Sequence, residues 1–198
     1  MQKTEQKQVQ YVKPLTPGQE DLIAAIAENT IVLVCGPAGC GKSYCSVTMA
    51  CQKLAEGQVK KILVSRPIVA SSAKKVGALP GDIREKIDPY LIPVMEQMKK
   101  YYPATEVNRM VRDGIIELAP LELMQGRTFD DCFMILDEAQ NCDFEELTMF
   151  LTRIGKNSKC VINGDVNQSF LKKDSGAFAE YLDLLDGIPD IEVVELLE

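Results

Sequence analysis

The chain contains no histidine. That absence removes the commonest general base and the imidazole half of a Cys₂His₂ zinc site. Any catalysis must therefore draw on carboxylates, lysine, cysteine or a metal-bound water. The seven cysteines, at 35, 40, 45, 51, 132, 142 and 160, form no C-x-x-C pair, so a Cys₄ site has no recognisable spacing. Several lie in apolar runs, where a thiol behaves as a small buried hydrophobe. An odd count without a secretory signal points to a reducing compartment. No apolar run approaches the roughly 20 residues needed to span a bilayer. Residues 1–10 are polar and rich in Gln and Lys, without the apolar stretch of a signal peptide. The expectation is a flexible N-terminal extension over 1–14 in a cytoplasmic protein with no membrane partner. A net charge of −7 opposes a surface coated in positive charge for duplex DNA. The lysine pairs at 60–61, 74–75, 99–100 and 172–173 read as solvated surface, with room for local basic patches. Internal repeats, low-complexity tracts and interdomain linkers are also missing.

What is present is a core-forming alternation. The 198 residues are 46% hydrophobic, which suits one compact α/β domain, here residues 15–198. Strands are predicted over 31–35, 61–65, 114–118, 133–136, 159–163 and 191–196. Helices are predicted over 17–28, 42–56, 89–101, 144–152 and 176–185. Such alternation implies a mainly parallel sheet with helices on both faces. A helical insertion is expected at about 66–110. Within it, two glycines and a proline over 77–82 read as an ordered turn before 83–87.

Four motifs carry chemistry. Gly36-Pro37-Ala38-Gly39-Cys40-Gly41-Lys42-Ser43 follows the apolar run 31–35 and opens a predicted helix, which is where a phosphate-cradling loop must sit. Its amides and the helix N-terminus point at an anion. Lys42 is placed to reach the β/γ oxygens, Ser43 to ligate Mg²⁺, and Tyr44 follows directly at the nucleotide. Phe133-Met134-Ile135-Leu136-Asp137-Glu138 has the Walker B pattern. Asp137 would hold the Mg²⁺ hydration shell, and Glu138 would polarise the attacking water. Val161 to Gln168 ends another apolar run with Gly164-Asp165. Gln168 can contact the γ-phosphate or the water, and a plain strand-ending turn is the competing reading. Leu15-Thr16-Pro17-Gly18-Gln19 opens the first helix with Thr16 as N-cap and Pro17 at N1. The Gln19 amide can additionally read the edge of adenine.

Together these motifs resemble the first RecA-like domain of superfamily 1 helicases. Further segments (Ser65-Arg66-Pro67, 77–82, Pro89-Tyr90, 125–129 and 150–155) resemble the PhoH family of phosphate-starvation-inducible ATPases. The resemblance runs from about Leu15 to Gly176, and the short length looks like the compact PhoH-like proteins of bacteriophages. It implies a RecA-like P-loop NTPase fold, binding and hydrolysis of ATP, ring-like oligomers and a link to RNA unwinding or processing; with the Mg²⁺ ligands above, the reading is a Mg²⁺-dependent ATPase coupled to binding or unwinding of single-stranded RNA or DNA.

Monomeric helicases close a second RecA-like domain over ATP, and that domain supplies arginine to the γ-phosphate. The chain is read as lacking it, so a neighbouring subunit is expected to provide the arginine across a head-to-tail ring, with six copies implied by the family. Arg153 is the preferred finger and Arg127 the second candidate, against the plain reading of Arg153 as a helix C-terminal cation. Arg66 and the insertion's lysines can line a pore for single strands, and Tyr101 and Tyr102 can stack on bases. Two other readings stand beside an oligomeric ATPase: a nucleotide-gated assembly module, and a small-molecule kinase.

Overall fold

The computed structural model describes residues 11–67, 92–168 and 176–197. Six strands, β1 (Ile31–Cys35), β2 (Lys61–Arg66), β3 (Ile116–Pro120), β4 (Cys132–Leu136), β5 (Lys159–Gly164) and β6 (Ile191–Glu195), form one sheet in the order β3-β2-β4-β5-β1-β6. Every pairing is parallel. A parallel sheet is buried on both faces, so its central strands read as unbroken apolar runs. All five residues of β4 are buried.

Side-chain alternation divides the core. Val32, Val34, Ile62, Val64, Phe133, Ile135 and Val161 face helices α1 (Pro17–Glu28), α2 (Lys42–Ala55) and α3 (Ala104–Arg112), joined by the helical stretch 92–98. Leu33, Leu63, Met134, Leu136 and Ile162 face α4 (Phe144–Leu151) and α5 (Ala177–Leu185). The caps follow local chemistry. Thr16 accepts from the Gln19 amide with Pro17 in the first turn. Asp143 and Glu146 form a reciprocal capping box at α4, worth about 1 kcal/mol.

The predicted elements match to within a residue or two, except that the helix predicted over 89–101 is seen as 92–98, with 89–91 outside the described residues. The third strand begins at Ile116, where 114 was expected, because Gly114 adopts φ +70° and closes the turn after α3. Helix α3 was not placed individually; its Val107 and Met110 are the buried positions of an otherwise polar segment. Residues 12 and 13 of the expected extension lie against α2. The Val12 amide donates to Gln52 Oε1 at 3.4 Å, and the Tyr44 hydroxyl donates to the Lys13 carbonyl at 3.2 Å. The turn at 77–82, the segment 83–87 and the lysines at 74–75 and 172–173 lie outside the described residues.

Tyr101 and Tyr102 are not offered to bases. Tyr102 is buried and donates to the Cys51 carbonyl at 3.0 Å, while the Tyr101 hydroxyl lies 2.7 Å from Thr48 Oγ1. Both rings are spent packing the stretch after 92–98 onto α2. All seven cysteines are free and buried. Among the described residues no helix is long and apolar enough to cross a membrane.

Candidate functional site

The carboxyl ends of β1, β4 and β5 converge, because parallel pairing puts the residue after each strand on the same edge of the sheet. A cleft of about 270 Å³ opens there. Ala38, Gly39, Gly41, Lys42, Ser43, Tyr44, Asp137, Glu138 and Gln168 line it, joined by Gln140, Asn163, Gly164 and Asp165. Most of the residues nominated from the sequence thus meet at one place.

The loop 36–43 wraps through two glycines at positive φ, Gly39 at +87° and Gly41 at +95°. Gly41 is also the residue before α2, and a Cβ there would collide with Gln19 Nε2. Lys42 Nζ donates to the carbonyls of Gly36 at 2.5 Å and Pro37 at 2.8 Å, so the ammonium closes the loop on itself.

Asp137 lies on the α2 face of the sheet, since it continues the alternation of β4. Ser43 Oγ donates to its Oδ1 at 3.1 Å. Asn163, fully buried at the end of β5, accepts from Ser46 Oγ at 2.9 Å and donates to Asp137 Oδ1 at 3.4 Å. Burial, and secondarily the charge of Glu138, raises the Asp137 pKa above the usual carboxylate range; Arg66, Ser43 and Asn163 oppose that rise. A carboxylate held in a dry setting beside a hydroxyl is a hard oxygen pair suited to a divalent cation such as Mg²⁺.

Glu138 sits in the left-handed region, at φ 61° and ψ 38°, an uncommon conformation for a residue with a side chain. Its Oε1 accepts from Arg66 Nη2 at 2.5 Å and its Oε2 from Gln140 Nε2 at 2.7 Å. Gln140 in turn accepts from the Asp165 amide at 3.0 Å. The Asp165 carboxylate and carbonyl receive the Asn167 and Gln168 amides, each at 3.0 Å, shaping the turn that carries Gln168.

Gly36, Pro37, Cys40, Gln19 and Arg153 do not line the cleft: Gly36 and Pro37 turn their carbonyls to Lys42, Cys40 is buried, and the other two fall elsewhere. Gln19 is 5% exposed, donates to the Cys40 carbonyl at 3.0 Å and accepts from the Leu15 amide at 2.9 Å. Its amide braces the phosphate loop against α1, and Gln19 is not among the residues that line the cleft. Arg153 lies after α4, bonded to the Met149 carbonyl at 3.2 Å and to Thr152 Oγ1 at 3.1 Å, away from the cleft. Of the remaining arginines, Arg127 is engaged by both oxygens of Glu117, at 2.6 and 2.8 Å, and covers the Phe129 ring. Arg66, one of the groups that could line a pore, is bonded to Glu138.

The sequence reading assigned no role to Ser46, Asn163 or Gln140. Asn163 left a signal, a polar residue inside the buried run 160–164. Gln140 left none beyond its place after Asp137-Glu138.

Fold and site together define a P-loop NTPase of the RecA-like kind. Structural neighbours agree on the fold. The large terminase of a thermophilic bacteriophage, in complex with ADP, superposes with a TM-score of 0.52 at 13% identity, over 92% of this chain and 45% of that one. The Sulfolobus solfataricus SWI2/SNF2 ATPase core in complex with dsDNA gives 0.52 at 15% identity, over 95% and 47%. The family model described as PhoH-like protein matches residues 11–198. The PhoH-like protein of Bacillus subtilis (strain 168) is 43% identical over 186 residues, 93% of this chain and 58% of that protein. Protein PhoH of Escherichia coli (strain K12) is 36% identical over 177 residues, 88% and 49% respectively. The chain belongs to the PhoH-like protein family, and it spans about half the length of the relatives it matches.

Proposed function

We propose that the chain is a Mg²⁺-dependent ATP hydrolase, one RecA-like domain over 15–198, that works in the cytoplasm as a head-to-tail ring, with six copies implied by the family, and couples turnover to single-stranded RNA or DNA. The observation that carries the hydrolysis reading is the convergence of Ser43, Asp137 and Glu138 at the mouth of the phosphate loop. A neighbour in complex with ADP and another in complex with dsDNA support nucleotide and nucleic acid as the broad ligand classes.

In this reading the loop amides and Lys42 bind and orient the phosphates, Lys42 exchanging the Gly36 and Pro37 carbonyls for phosphate oxygens. Ser43 and Asp137 would hold Mg²⁺, which supplies charge neutralisation at the β/γ-phosphates. Water attacks the γ-phosphorus, the bond from that phosphorus to the ADP oxygen breaks, and the water's proton passes to Glu138. Gln168, on the turn after β5, orients the water. Tyr44 stands at the cleft wall with its hydroxyl tied to the Lys13 carbonyl.

The described cleft-lining residues include no arginine. Arg153, with no carboxylate partner among the described residues, is the group a neighbouring subunit would present. Arg127 is already committed to Glu117.

Glu138→Gln keeps the size and removes the base. It should bind ATP as tightly as the parent and lose turnover by a factor of roughly 10² or more. A variant that releases phosphate at the parental rate would refute the assignment. Nucleotide-dependent ring formation with no phosphate release from the parent protein would favour the assembly-module reading instead.

A further inference from the structure

Gln140 joins two parts of the cleft that arrive on different strands. Its Nε2 donates to Glu138 Oε2 at 2.7 Å, and its Oε1 accepts from the Asp165 amide at 3.0 Å, across 25 positions of sequence. Glu138 lies just past β4, and Asp165 directly follows β5. Asp165 shapes the turn that carries Gln168, since its carbonyl receives the Gln168 amide and its carboxylate the Asn167 amide. One side chain thus ties the proposed base to the segment that presents the water-orienting glutamine.

The chemistry of the two ends calls for a carboxamide. A Glu138 carboxylate accepts and cannot donate, and the Asp165 backbone N–H donates and cannot accept. The link therefore needs an N–H at one end and a carbonyl at the other, which also fixes which way the amide points. Glutamate at 140 would keep the bond to Asp165 and set a second carboxylate against Glu138. Leucine would fill comparable space and make neither bond. Gln140 is 5% exposed, so solvent is poorly placed to replace a lost partner. It sits in the short 3₁₀ turn Ala139–Asn141, directly after the left-handed Glu138. Such a backbone persists only where its surroundings hold it. Each Glu138 oxygen keeps a second lone pair after accepting from Arg66 and Gln140, so the carboxylate is held in place and can still take a proton.

We propose that Gln140 is a positioning residue whose carboxamide holds Glu138 and the Gln168 turn at a fixed separation, so that base and water-orienting group meet the same water. This rests on the reading of the cleft as a hydrolysis site. It makes the ends of β4 and β5 one unit in turnover, joined through a side chain that touches no substrate.

Steady-state kcat and KM for ATP, with binding of a fluorescent ATP analogue, test it on the full chain. The variants are Gln140→Leu and Gln140→Glu, and Gln140→Leu combined with Glu138→Gln or with Gln168→Ala. Gln140→Leu should lower kcat roughly 10- to 100-fold, the worth of one hydrogen bond to a charged group, with KM and analogue affinity little changed. Gln140→Glu should lower kcat at least as far, although it keeps the side-chain size and the Asp165 bond, and it carries the test if the leucine variant melts early. In the Glu138→Gln background, Gln140→Leu should change kcat by less than about threefold, because groups that act together are not additive. In the Gln168→Ala background it should cost less than in the parent. The full parental loss in either background overturns the proposal, since a merely structural defect does not depend on which cleft group is present. A parental kcat for Gln140→Glu overturns it as well. Glu138→Gln alone separates the layers. If it turns over normally, the hydrolysis reading fails. If it is slow while Gln140→Leu matches the parent, only the role of Gln140 fails.

Discussion

Glu138 stores backbone strain at the residue proposed to take the proton, and a pair of substitutions can measure it. Glu138→Ala and Glu138→Gly lose the same carboxylate contacts, with Arg66 and with Gln140. They differ in what the backbone must bear at φ 61°, ψ 38°. A side chain in the left-handed region costs about 1–2 kcal/mol. Glycine escapes that cost but gives back about 0.4–1 kcal/mol through the greater freedom of its unfolded chain. The balance leaves Glu138→Gly more stable than Glu138→Ala by about 1 kcal/mol, or roughly 2–4 °C in Tm for a chain of this size. Thermal and urea melts of the two variants without nucleotide, run side by side, read the difference. Comparing each with the parent would mix strain with lost ion pairing; comparing them with each other cancels it. If Glu138→Ala melts at or above Glu138→Gly, the turn is not strained and the reasoning fails.

Three further outcomes follow from the same structure. A Cβ on Gly164 would run into the Phe178 ring at Cε1, inside the core beneath α5, so Gly164→Ala should cost about 1–3 kcal/mol in urea unfolding, with Phe178→Leu recovering part of it; an unchanged midpoint would count against the packing. Burial pushes Cys45, Cys51 and Cys132 up to about 12 and raises Cys142 and Cys160 as well, against an ordinary value of 9.0. Above pH 9 the unfolded chain therefore releases thiol protons that the folded chain keeps. Stability should hold below that pH and fall above it by up to about 1.4 kcal/mol per pH unit for each thiol; denaturant midpoints flat between pH 7 and 10.5 would contradict this. Arg153→Ala should lower kcat by roughly 10³-fold or more while nucleotide affinity holds. Mixing it with Lys42→Ala subunits should recover activity that neither variant has, because each supplies the half the other lacks; a mixture that stays inactive would remove Arg153 as the group acting in trans.

Much of the fold was legible because it rests on local rules. Apolar runs of five or six residues, alternating with helical patterns, are a parallel sheet's signature, and the caps at Thr16 and Asp143 are written in neighbouring residues. Helix α3 was harder to place, since only Val107 and Met110, with Val111 partly, pack on the core in an otherwise polar segment. The third strand's start depended on Gly114 turning the chain, which pattern alone does not reveal.

Within the site, the division is between residues set by contiguous motifs and residues set by approach. The phosphate loop, Asp137, Glu138 and the turn carrying Gln168 are determined by the sequence itself, because each lies at a strand end whose position follows from the strand. What a side chain does when it can choose among partners was decided by the tertiary structure alone. Gln19 faces the loop carbonyl of Cys40, 21 positions away, and not the cleft. Arg66 reaches Glu138 across 72 positions, and Ser46 meets Asn163 across 117. Hydrogen bonds and ion pairs act over a few ångströms, and only the packed sheet brings such distant residues within that range.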